Sequence, residues 1–349
     1  MHALQMTAWQ SDPELREVPD PRPGPGEVLV RTGAAGVCHS DMHVLHEFPA
    51  GIFPWELPFT LGHENAGWVA ELGAGVTGLE VGQPVALYGP WGCGSCAACA
   101  AGAENYCRRM PPGAAYPGLG RDGGMAEHFL VPSARHLVPL PGSLTPLQAA
   151  PLTDAGLTPF HAVERVRELL VPGSTTVVVG VGGLGHLAVQ ILRATTATRV
   201  VAVDQKPEAR KLAEQVGADV VLDGGEDTAA AIRDLTDGQG ADAVLDIVGI
   251  DSTLSLAASV VARDGHVVVV GVGGGSLPVS FLGVPYGARV STSFWGTRPE
   301  LHRVLALAAR GDLVTETTTW PLSRATEAYA AVRAGTVSGR AVVVPDAVG

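Results

Sequence analysis

Residues 175–204 read TTVVVGVGGLGHLAVQILRATTATRVVAVD, and this segment is the strongest indication of the fold of the domain that contains it. A β-branched apolar run is followed by a turn that holds four glycines, namely Gly180, Gly182, Gly183 and Gly185. From Leu184 onward, apolar residues recur at the spacing of a helix that buries one face. A second apolar run then ends at Asp204. A strand, a glycine turn, a helix, a strand and an acid in this order are the signature of a dinucleotide-binding unit.

The chemistry of such a unit explains each part of the signature. Glycines carry no Cβ, so a pyrophosphate can approach the backbone N–H groups at the positive end of the helix dipole. Asp204 is expected to accept hydrogen bonds from the hydroxyls of the adenosine ribose. Because a carboxylate at this position would repel a 2′-phosphate, the sequence predicts NAD as the cofactor rather than NADP.

Length, charge and hydropathy limit the classes of protein that fit. A chain of 349 residues is long for one core, so two domains are expected. The formal net charge of −12 argues against a polyanion partner, and nucleic acid is not expected as a ligand. The sequence has no run of about 18 apolar residues, and its start lacks the basic and apolar regions of a secretory signal. These features predict a cytoplasmic protein with no membrane partner.

The βα alternation continues after Asp204 and predicts a doubly wound parallel sheet, the Rossmann arrangement. Helices are predicted near 207–216, 227–235 and 251–262, and strands at 220–222, 243–248, 266–270 and 289–293. Residues 1–150 instead read as short strands between glycine turns, at 27–31, 67–71 and 84–88, which predicts an irregular antiparallel barrel or sandwich. A helix at 299–310 and a strand at 341–344 are expected to return to this first domain.

Four of the five cysteines are clustered with the spacing C-x2-C-x2-C-x7-C, as Cys93, Cys96, Cys99 and Cys107. In a cytosolic chain such a cluster indicates a metal more often than disulfides. Zinc fits four thiolates in a tetrahedron. The alternative is an iron–sulfur cluster, but the ferredoxin run has a last gap of three followed by proline, whereas here the gap is seven and Arg108 follows. Four protein ligands close the site, so a structural zinc is predicted.

Cys38 and His63 are weak candidates when judged by spacing alone. A single buried cysteine is more often a small hydrophobe, and a single histidine is more often a core residue with satisfied hydrogen bonds.

Five motifs in this order, VCHSDMH, LGHENAG, CGSCAACAAGAENYC, PLTDAGLTPFHA and GVGGLG, resemble the medium-chain zinc-dependent alcohol dehydrogenase family over residues 1 to 345. The sequence is most similar to the bacterial secondary-alcohol branch. The resemblance implies an α/β chain with a GroES-like, β-rich catalytic domain (1–155 and 297–349, with a structural zinc lobe at about 90–112) and a Rossmann NAD-binding domain (156–296). It also implies an active site in the cleft between them, and one catalytic and one structural zinc.

By the same resemblance, Cys38, His63 and Asp154 match the ligands of the catalytic zinc. Asp154 departs from the better-known members, which have cysteine there, but a carboxylate oxygen is an accepted zinc ligand. Glu64 is an alternative ligand. Asp41 is predicted to orient His63 by a hydrogen bond, the alternative being that it caps the helix after Cys38.

Ser40 and His43 match the proton relay of the family, although a polar helix start would also account for them. His39 takes the place of an arginine near the cofactor pyrophosphate. Other cofactor positions implied by the resemblance are Thr158, Leu184, Trp295 and Arg340, with Arg210 either covering the adenine or remaining a solvated charge. The substrate pocket is predicted from Trp55, Leu119, Phe294 and Trp295, which core packing would explain equally well.

The predicted reaction is reversible hydride transfer between a small to medium alcohol, secondary or aryl, and NAD, in a homodimer or homotetramer. A polyol or amino-alcohol dehydrogenase would share every motif, but the aromatic pocket argues against a polyhydroxylated ligand. A zinc-free quinone or enoyl reductase would lack the catalytic ligands and the cysteine lobe. A non-catalytic NAD-binding zinc protein would have no need of Cys38, His63, Ser40 and His43.

Overall fold

The computed structural model describes residues 1–111 and 113–346. The last position of the predicted lobe, 112, and the last three positions of the predicted segment 297–349 lie outside this description. The chain divides into two compact units, Met1–Leu157 with Thr297–Gly349, and Thr158–Gly296. Within the described residues, no helix combines the length and the apolar character that a membrane span requires.

The first unit is built mainly from antiparallel strands. Up to the end of its first segment the strands are β1 (His2–Met6), β2 (Glu14–Glu17), β3 (Val28–Val37), β4 (Phe59–Thr60), β5 (Glu64–Leu72), β6 (Pro84–Leu87), β7 (Tyr116–Pro117), β8 (Gly120–Arg121), β9 (His128–Val131) and β10 (Leu137–Pro139). Short helices connect them: α1 (His39–Met42), which continues as a π-helical turn (His43–Glu47), α2 (Ala97–Ala100) and α3 (Pro146–Ala149).

The second unit alternates helices and strands around a parallel sheet. Its elements in chain order are α4 (Leu157–Arg165), β11 (Thr175–Val179), α5 (Gly185–Thr195), β12 (Arg199–Val203), α6 (Pro207–Gln215), β13 (Val220–Leu222), α7 (Thr228–Leu235), β14 (Ala241–Asp246), α8 (Asp251–Val260), β15 (Val261–Val269) and β16 (Arg289–Thr292). The chain then returns to the first unit with α9 (Arg298–Ala309), β17 (Thr317–Pro321), α10 (Ala325–Arg333) and β18 (Arg340–Val344).

The six strands of the second unit lie in the order β13-β12-β11-β14-β15-β16, and every pair is parallel. β11 is therefore central, and the β-branched residues that the sequence places in the strands form the core between sheet and helices. The predicted doubly wound sheet is confirmed. The predicted helix 251–262 is two residues too long, because the chain leaves α8 at Val260 and Val261 pairs with Ala241 of β14.

The main sheet of the first unit runs β10-β6-β5-β3-β18-β17, with β9 also paired to β3. β3 is antiparallel to both β5 and β18, with Gly36 opposite Glu64 and Val37 opposite Ala341. The end of β3 therefore lies beside the starts of β5 and β18. This pairing brings together three segments that are far apart in sequence, and they carry the first cluster of functional side chains.

Candidate metal and cofactor sites

Cys38, His63 and Asp154 meet at the end of the main sheet in the first unit. Cys38 follows β3 directly, His63 precedes β5, and Asp154 follows a 3₁₀ turn that packs on β5. Oδ2 of Asp154 lies 3.6 Å from Sγ of Cys38 and 3.6 Å from Nε2 of His63. With a carboxylate oxygen of Glu64, these ligand atoms all lie within 4.8 Å of one another. One sulfur, one imidazole nitrogen and carboxylate oxygens form a donor set that fits zinc.

Both oxygens of Glu64 are already engaged by a buried arginine. Nε of Arg340 donates to Oε2 of Glu64 at 3.0 Å, and its terminal nitrogen donates to Oε1. The same guanidinium lies 3.9 Å from Oδ2 of Asp154. A Cβ at Gly36 would stand 1.9 Å from Glu64 Oε2, so a glycine is needed opposite this carboxylate. Asp154 is thus the carboxylate that faces both Cys38 and His63, whereas Glu64 faces Arg340.

Asp41 contacts both the start of α1 and the ring of His63. Oδ2 accepts a hydrogen bond from the backbone N–H of Cys38 at 3.1 Å, which caps α1. Oδ1 lies 3.0 Å from Nδ1 of His63, whose opposite ring nitrogen, Nε2, lies 3.6 Å from Oδ2 of Asp154. The buried hydroxyl of Tyr329 also donates to Oδ2, at 3.3 Å. Sequence reasoning missed Tyr329, because α10 carries no motif.

The charges around His63 favour a cation. Burial alone would lower the pKa of His63, but the carboxylates of Asp41 and Asp154 hold this pKa well above its usual value. Burial raises the pKa of Glu64 to about 7, while Arg340 opposes the shift. Arg340 offsets one carboxylate of the cluster, and those of Asp41 and Asp154 remain for a positive charge. A metal cation fits this balance.

Ser40 and His43 lie on the helical segment that leaves the cluster. Oγ of Ser40 is 3.5 Å from Sγ of Cys38, so this hydroxyl borders the ligand atoms. His43 pairs through Nδ1 with the exposed Glu47, which sequence reasoning missed. The exposed His39 packs its ring edge-on against His43, with centroids 5.2 Å apart. Along the chain, Ser40, His43 and Glu47 follow Cys38 in this order.

A row of neighbouring aromatic rings, formed by Phe48, Phe53, Trp55 and Trp9, begins beside His43; the Phe48–Phe53 pair meets edge to face and the other pairs are stacked. Neighbouring centroids are 6.0 Å apart between His43 and Phe48, 5.7 Å between Phe48 and Phe53, 4.5 Å between Phe53 and Trp55, and 6.0 Å between Trp55 and Trp9. Nε1 of Trp55 donates to the carbonyl of Gly113 at 2.8 Å. Trp55 and the predicted pocket residue Leu119 both pack against the core of the first unit.

The four clustered cysteines form a second metal-binding geometry. Three of the Sγ–Sγ distances are 3.4 Å for Cys96–Cys99, 3.8 Å for Cys96–Cys107 and 3.9 Å for Cys93–Cys99. A tetrahedral ion with zinc–sulfur bonds of about 2.3 Å requires separations of about 3.8 Å, whereas a disulfide requires about 2.05 Å. Hydrogen bonding from the backbone of Ser95 lowers the pKa of Cys93 to about 5, which favours the thiolate that a metal needs.

The glycine turn of the second unit follows β11. Gly180 has φ of +89°, and a Cβ at Gly185 would stand 1.9 Å from the carbonyl oxygen of Gly180. Both positions therefore require glycine for the fold itself. A Cβ at Gly182 would meet no atom within 4 Å. The backbone at Gly182 is open on the side where a cofactor phosphate would approach, at the start of α5, and this opening fits a dinucleotide.

Asp204 lies beside this turn because Val203 pairs with Val179. Its Oδ2 accepts from the backbone N–H of Val181 at 2.7 Å, and its Oδ1 accepts from that of Lys206 at 2.8 Å. Arg210 donates to the carbonyl oxygens of Asp204 and Gln205 at 3.1 and 2.7 Å, so it folds back on the same loop.

The fully buried Asp246 is a residue that sequence reasoning missed. Its Oδ1 accepts from the N–H groups of Val248 and Gly249, both at 2.9 Å. It thereby fixes the loop whose Val248 side chain abuts Gly180.

The remaining predicted cofactor and pocket residues are placed as follows. Thr158 and Leu184 belong to the second unit, where Leu184 precedes α5. Trp295 is buried with φ of +51°, and its ring meets that of the half-exposed Phe294 edge-on at 5.9 Å. Arg340 belongs to the first unit, where its guanidinium binds Glu64. Their contacts with a cofactor or substrate stay predictions.

Comparison with known proteins assigns segments of both units to dehydrogenase families. Residues 24–142 match the family described as alcohol dehydrogenase GroES-like domain, and residues 183–310 match zinc-binding dehydrogenase. An NAD-dependent alcohol dehydrogenase of Sulfurisphaera tokodaii is 35% identical, over 99% of this chain and 100% of that protein.

Two solved structures extend the comparison. The alcohol dehydrogenase of Aeropyrum pernix is 36% identical with a TM-score of 0.91, over 99% of this chain and 100% of that one. The acetophenone reductase of Geotrichum candidum, solved in complex with NAD, is 34% identical with a TM-score of 0.86, over 98% and 96%. This chain belongs to the medium-chain zinc-dependent alcohol dehydrogenase family. The predicted family, the predicted fold class and the prediction of an oxidoreductase are confirmed.

Proposed function

We propose that this chain oxidises a small to medium alcohol, secondary or aryl, with NAD, and reduces the matching ketone or aldehyde with NADH. The observation that carries the proposal is the cluster of Cys38, His63 and Asp154 at one end of the main sheet. These three residues would hold the catalytic zinc, and the engagement of Glu64 by Arg340 favours Asp154 as the third ligand. Three protein ligands leave a coordination position open, as a catalytic zinc requires.

Zinc, when bound, would polarise the oxygen of the substrate, and NAD would accept a hydride. The chain itself moves the proton. The hydroxyl of Ser40, 3.5 Å from Cys38 Sγ, accepts the proton of the alcohol and passes its own proton on as a member of the relay. His43 carries it on toward Glu47 and solvent. Asp41 holds His63 in one ring orientation throughout.

The aromatic row supports an apolar substrate. Phe48, Phe53 and Trp55 form an apolar surface of aromatic rings next to His43. Such rings offer few hydrogen-bonding atoms for a substrate that carries several hydroxyl groups. The relative named acetophenone reductase acts, by its name, on an aryl ketone. A polyol would lose hydrogen bonds to water against such a surface.

The cofactor proposal rests on Asp204 and the open backbone of Gly182. The carboxylate of Asp204 would bind the ribose hydroxyls and disfavour a 2′-phosphate. NAD should therefore exceed NADP by at least about tenfold in kcat/KM, which needs only about 1.4 kcal/mol. Equal efficiency with both cofactors would contradict the role of Asp204, and Asp204→Ser should narrow the difference.

We also propose two zinc ions per chain. Elemental analysis of the protein after washing with a weak chelator should then approach two zinc ions. Cys107→Ser should lose the structural ion, and Cys38→Ser should lose the catalytic ion, each leaving about one. Iron with visible charge-transfer absorption would contradict the zinc assignment.

The substrate assignment is tested with a panel of primary, secondary, aryl and polyol substrates in an NAD-reduction assay. Secondary and aryl alcohols should give the highest kcat/KM, and Asp154→Asn should reduce activity on all of them while NAD binding is kept. The matched control is Glu327→Gln, an exposed acid-to-amide change far from the cluster in sequence, which should keep full activity. A polyol that outperforms every secondary alcohol would contradict the proposal.

A further inference from the structure

Tyr329 of α10 brings a buried hydroxyl to the candidate catalytic zinc site from a distant part of the chain. The residue is 3% exposed, and it packs in the same hydrophobic core as Val37 and Met42, which stand on either side of the segment from Cys38 to Asp41. Its hydroxyl donates to Oδ2 of Asp41 at 3.3 Å, across 288 positions of sequence. Because the core holds the ring, the hydroxyl has a fixed position beside this carboxylate.

The carboxylate of Asp41 is shielded from solvent and depends on the chain for its partners. Asp41 is 0% exposed. Its Oδ2 accepts from the backbone N–H of Cys38 at 3.1 Å as well as from Tyr329, so both donors act on the same oxygen. The other oxygen, Oδ1, remains turned to Nδ1 of His63 at 3.0 Å. A buried charge costs free energy unless donors compensate it, so these two contacts determine how Asp41 faces His63.

The contact depends on the phenol hydroxyl and on no other group of the same part of α10. Ala328 and Ala330, the chain neighbours of Tyr329, carry no polar side chain. Burial, and then the carboxylate of Asp41, hold the pKa of Tyr329 well above its usual value. The hydroxyl therefore stays protonated at neutral pH and acts as a donor to Asp41.

We propose that Tyr329 is a positioning residue for the catalytic zinc, because its hydroxyl holds Asp41 in the orientation in which this carboxylate supports His63 as a ligand. Groups that hydrogen-bond to a ligating histidine fix its ring and strengthen it as a donor, and their loss typically costs about 10- to 100-fold in metal affinity. Tyr329 acts one contact further away, so its loss should cost less. The inference rests on the proposed catalytic zinc site and adds a residue of the C-terminal segment to it.

Removal of the hydroxyl has two opposite effects on Asp41. A carboxylate with one donor fewer is a stronger acceptor toward His63, which would tighten the zinc site. The same carboxylate is also freer to rotate away from His63, and its buried charge is less well stabilised. We expect the second effect to prevail, because Asp41 is fully shielded and water cannot replace the lost donor.

The test compares zinc binding by the full chain and by Tyr329→Phe, which removes only the hydroxyl oxygen. Competition with a chromogenic chelator measures the dissociation constants of both ions, and Cys38→Ser identifies the ion that belongs to the cysteine lobe. We expect the dissociation constant of the catalytic ion to rise about three- to tenfold and that of the lobe ion to stay the same. Tyr286→Phe is the matched control, because Tyr286 is exposed in the second unit, and it should bind zinc like the parent.

Two further measurements separate positioning from a merely structural role. In the Asp41→Asn background, Tyr329→Phe should cost less zinc affinity than it does in the parent, because the charged acceptor is already gone. With cobalt in place of the catalytic zinc, Tyr329→Phe should shift the visible absorption bands. A loss of stability alone would move the unfolding midpoint and leave these bands unchanged.

The outcomes distinguish this inference from the proposed zinc site on which it rests. A parent chain that binds no second ion would contradict the zinc site, and the role of Tyr329 with it. If the parent holds both ions and Tyr329→Phe binds the catalytic ion as tightly as the parent, or more tightly, only the role of Tyr329 is overturned. Losses that simply multiply in the double variant would also overturn it, since Tyr329 would then act independently of Asp41.

Discussion

The pair of Glu64 and Arg340 illustrates how much a single residue depends on its surroundings. Both side chains are buried, and each supplies the partner that the other needs. A buried ion pair is weak evidence for stability when it is compared with apolar residues, but removal of one partner leaves an unpaired charge. Gly36 belongs to the same arrangement, because a Cβ there would occupy the space of the Glu64 carboxylate.

Arg340→Gln should lower the free energy of unfolding by about 3–5 kcal/mol, because it leaves Glu64 buried without its partner. The double variant Glu64→Gln, Arg340→Gln should lose less than the sum of the single variants. Urea unfolding of all three measures the coupling. Arg324→Gln, which breaks the exposed pair with Glu327, is the control and should cost no more than about 1 kcal/mol. Additive losses in the buried pair would contradict this interpretation.

Substitution by alanine should have different effects on stability at two glycines of the same turn. Gly182→Ala should leave the free energy of unfolding within about 0.5 kcal/mol, since its Cβ meets nothing, yet weaken NAD binding. Gly185→Ala should destabilise the fold, because its Cβ would strike the carbonyl of Gly180. Thermal unfolding and NAD titration of both variants separate the two effects. Unchanged NAD affinity in Gly182→Ala would exclude a phosphate at this turn.

The proposed proton relay can be tested at Ser40, which borders the metal-ligand cluster but is not itself a ligand. Ser40→Ala should reduce the rate of alcohol oxidation by about 10² to 10⁴, the usual contribution of positioned proton transfer. His43→Gln should cost about tenfold, because water can replace a group nearer the solvent. The losses should be less than multiplicative in the double variant. Steady-state rates with a deuterated alcohol, and zinc content as the control for folding, give the measurement. Nearly full activity in Ser40→Ala would contradict the proposal that Ser40 belongs to a proton relay.

At the scale of elements, the 3₁₀ turn Ala134–His136 supports the cysteine lobe. Arg135 donates to the carbonyl of Gly92 at 2.7 Å, next to Cys93. Nε of the same arginine donates to Nε2 of His136 at 3.3 Å, and the His136 ring lies 5.4 Å from that of Trp91. His136 must accept this hydrogen bond, so its ring is neutral there.

Acid should therefore weaken the fold through His136. Burial and the charges of Arg135 and Arg298 lower the pKa of His136 to about 3, against about 6.5 in the unfolded chain. The contribution of neutral His136 to the free energy of unfolding is therefore complete above pH 6.5. Below pH 6.5 this contribution falls by about 1.4 kcal/mol per pH unit, because only the unfolded chain takes up the proton.

The advantage of the parent over His136→Gln should shrink by about 2 kcal/mol between pH 7 and pH 5. Urea unfolding of both proteins at the two pH values measures it, and His2→Gln, at an exposed site, is the control. A constant difference would show that His136 does not titrate in this way.

For the whole molecule, the most relevant feature is a sheet edge of the second unit that can pair with a strand of a second copy. β16 is the edge strand, and most of its residues are exposed. The preceding segment exposes Val279, Phe281 and Leu282 at 63%, 80% and 85%. An uncovered edge strand beside apolar side chains favours pairing with a second copy.

We therefore expect a homo-oligomer in which β16 pairs with its counterpart. Leu282→Lys together with Phe281→Glu should shift the protein to the monomer, as measured by light scattering after size-exclusion chromatography. Val81→Lys, which also places a charge at an exposed apolar residue but in the first unit, is the control and should leave the mass unchanged. A monomeric parent protein would contradict the expectation.

How much could be predicted from the sequence depended on whether a feature is local. The glycine turn, the cysteine spacing and the periodicity of the helices each lie within about thirty residues, and they indicated the fold class and the family. The contact of Tyr329 with Asp41 and that of Arg340 with Glu64 could not be predicted in this way. They join positions 288 and 276 residues apart, and they depend on how the strands pair and how α10 packs.

The two candidate metal sites differ in how much chain their ligands enclose, and this difference bears on the order in which a newly made chain acquires its metals. Cys93 and Cys107 are 14 positions apart, whereas Cys38 and Asp154 are 116 apart. Closing the longer loop costs about 2 kcal/mol more chain entropy, before the pairing of β3 with β5 is counted. The lobe can therefore take up its ion while most of the chain is still unfolded, and the catalytic site can do so only after the sheet has formed. When zinc is scarce during biosynthesis, such a chain would accumulate as a folded and partly loaded protein that lacks only the ion on which activity depends.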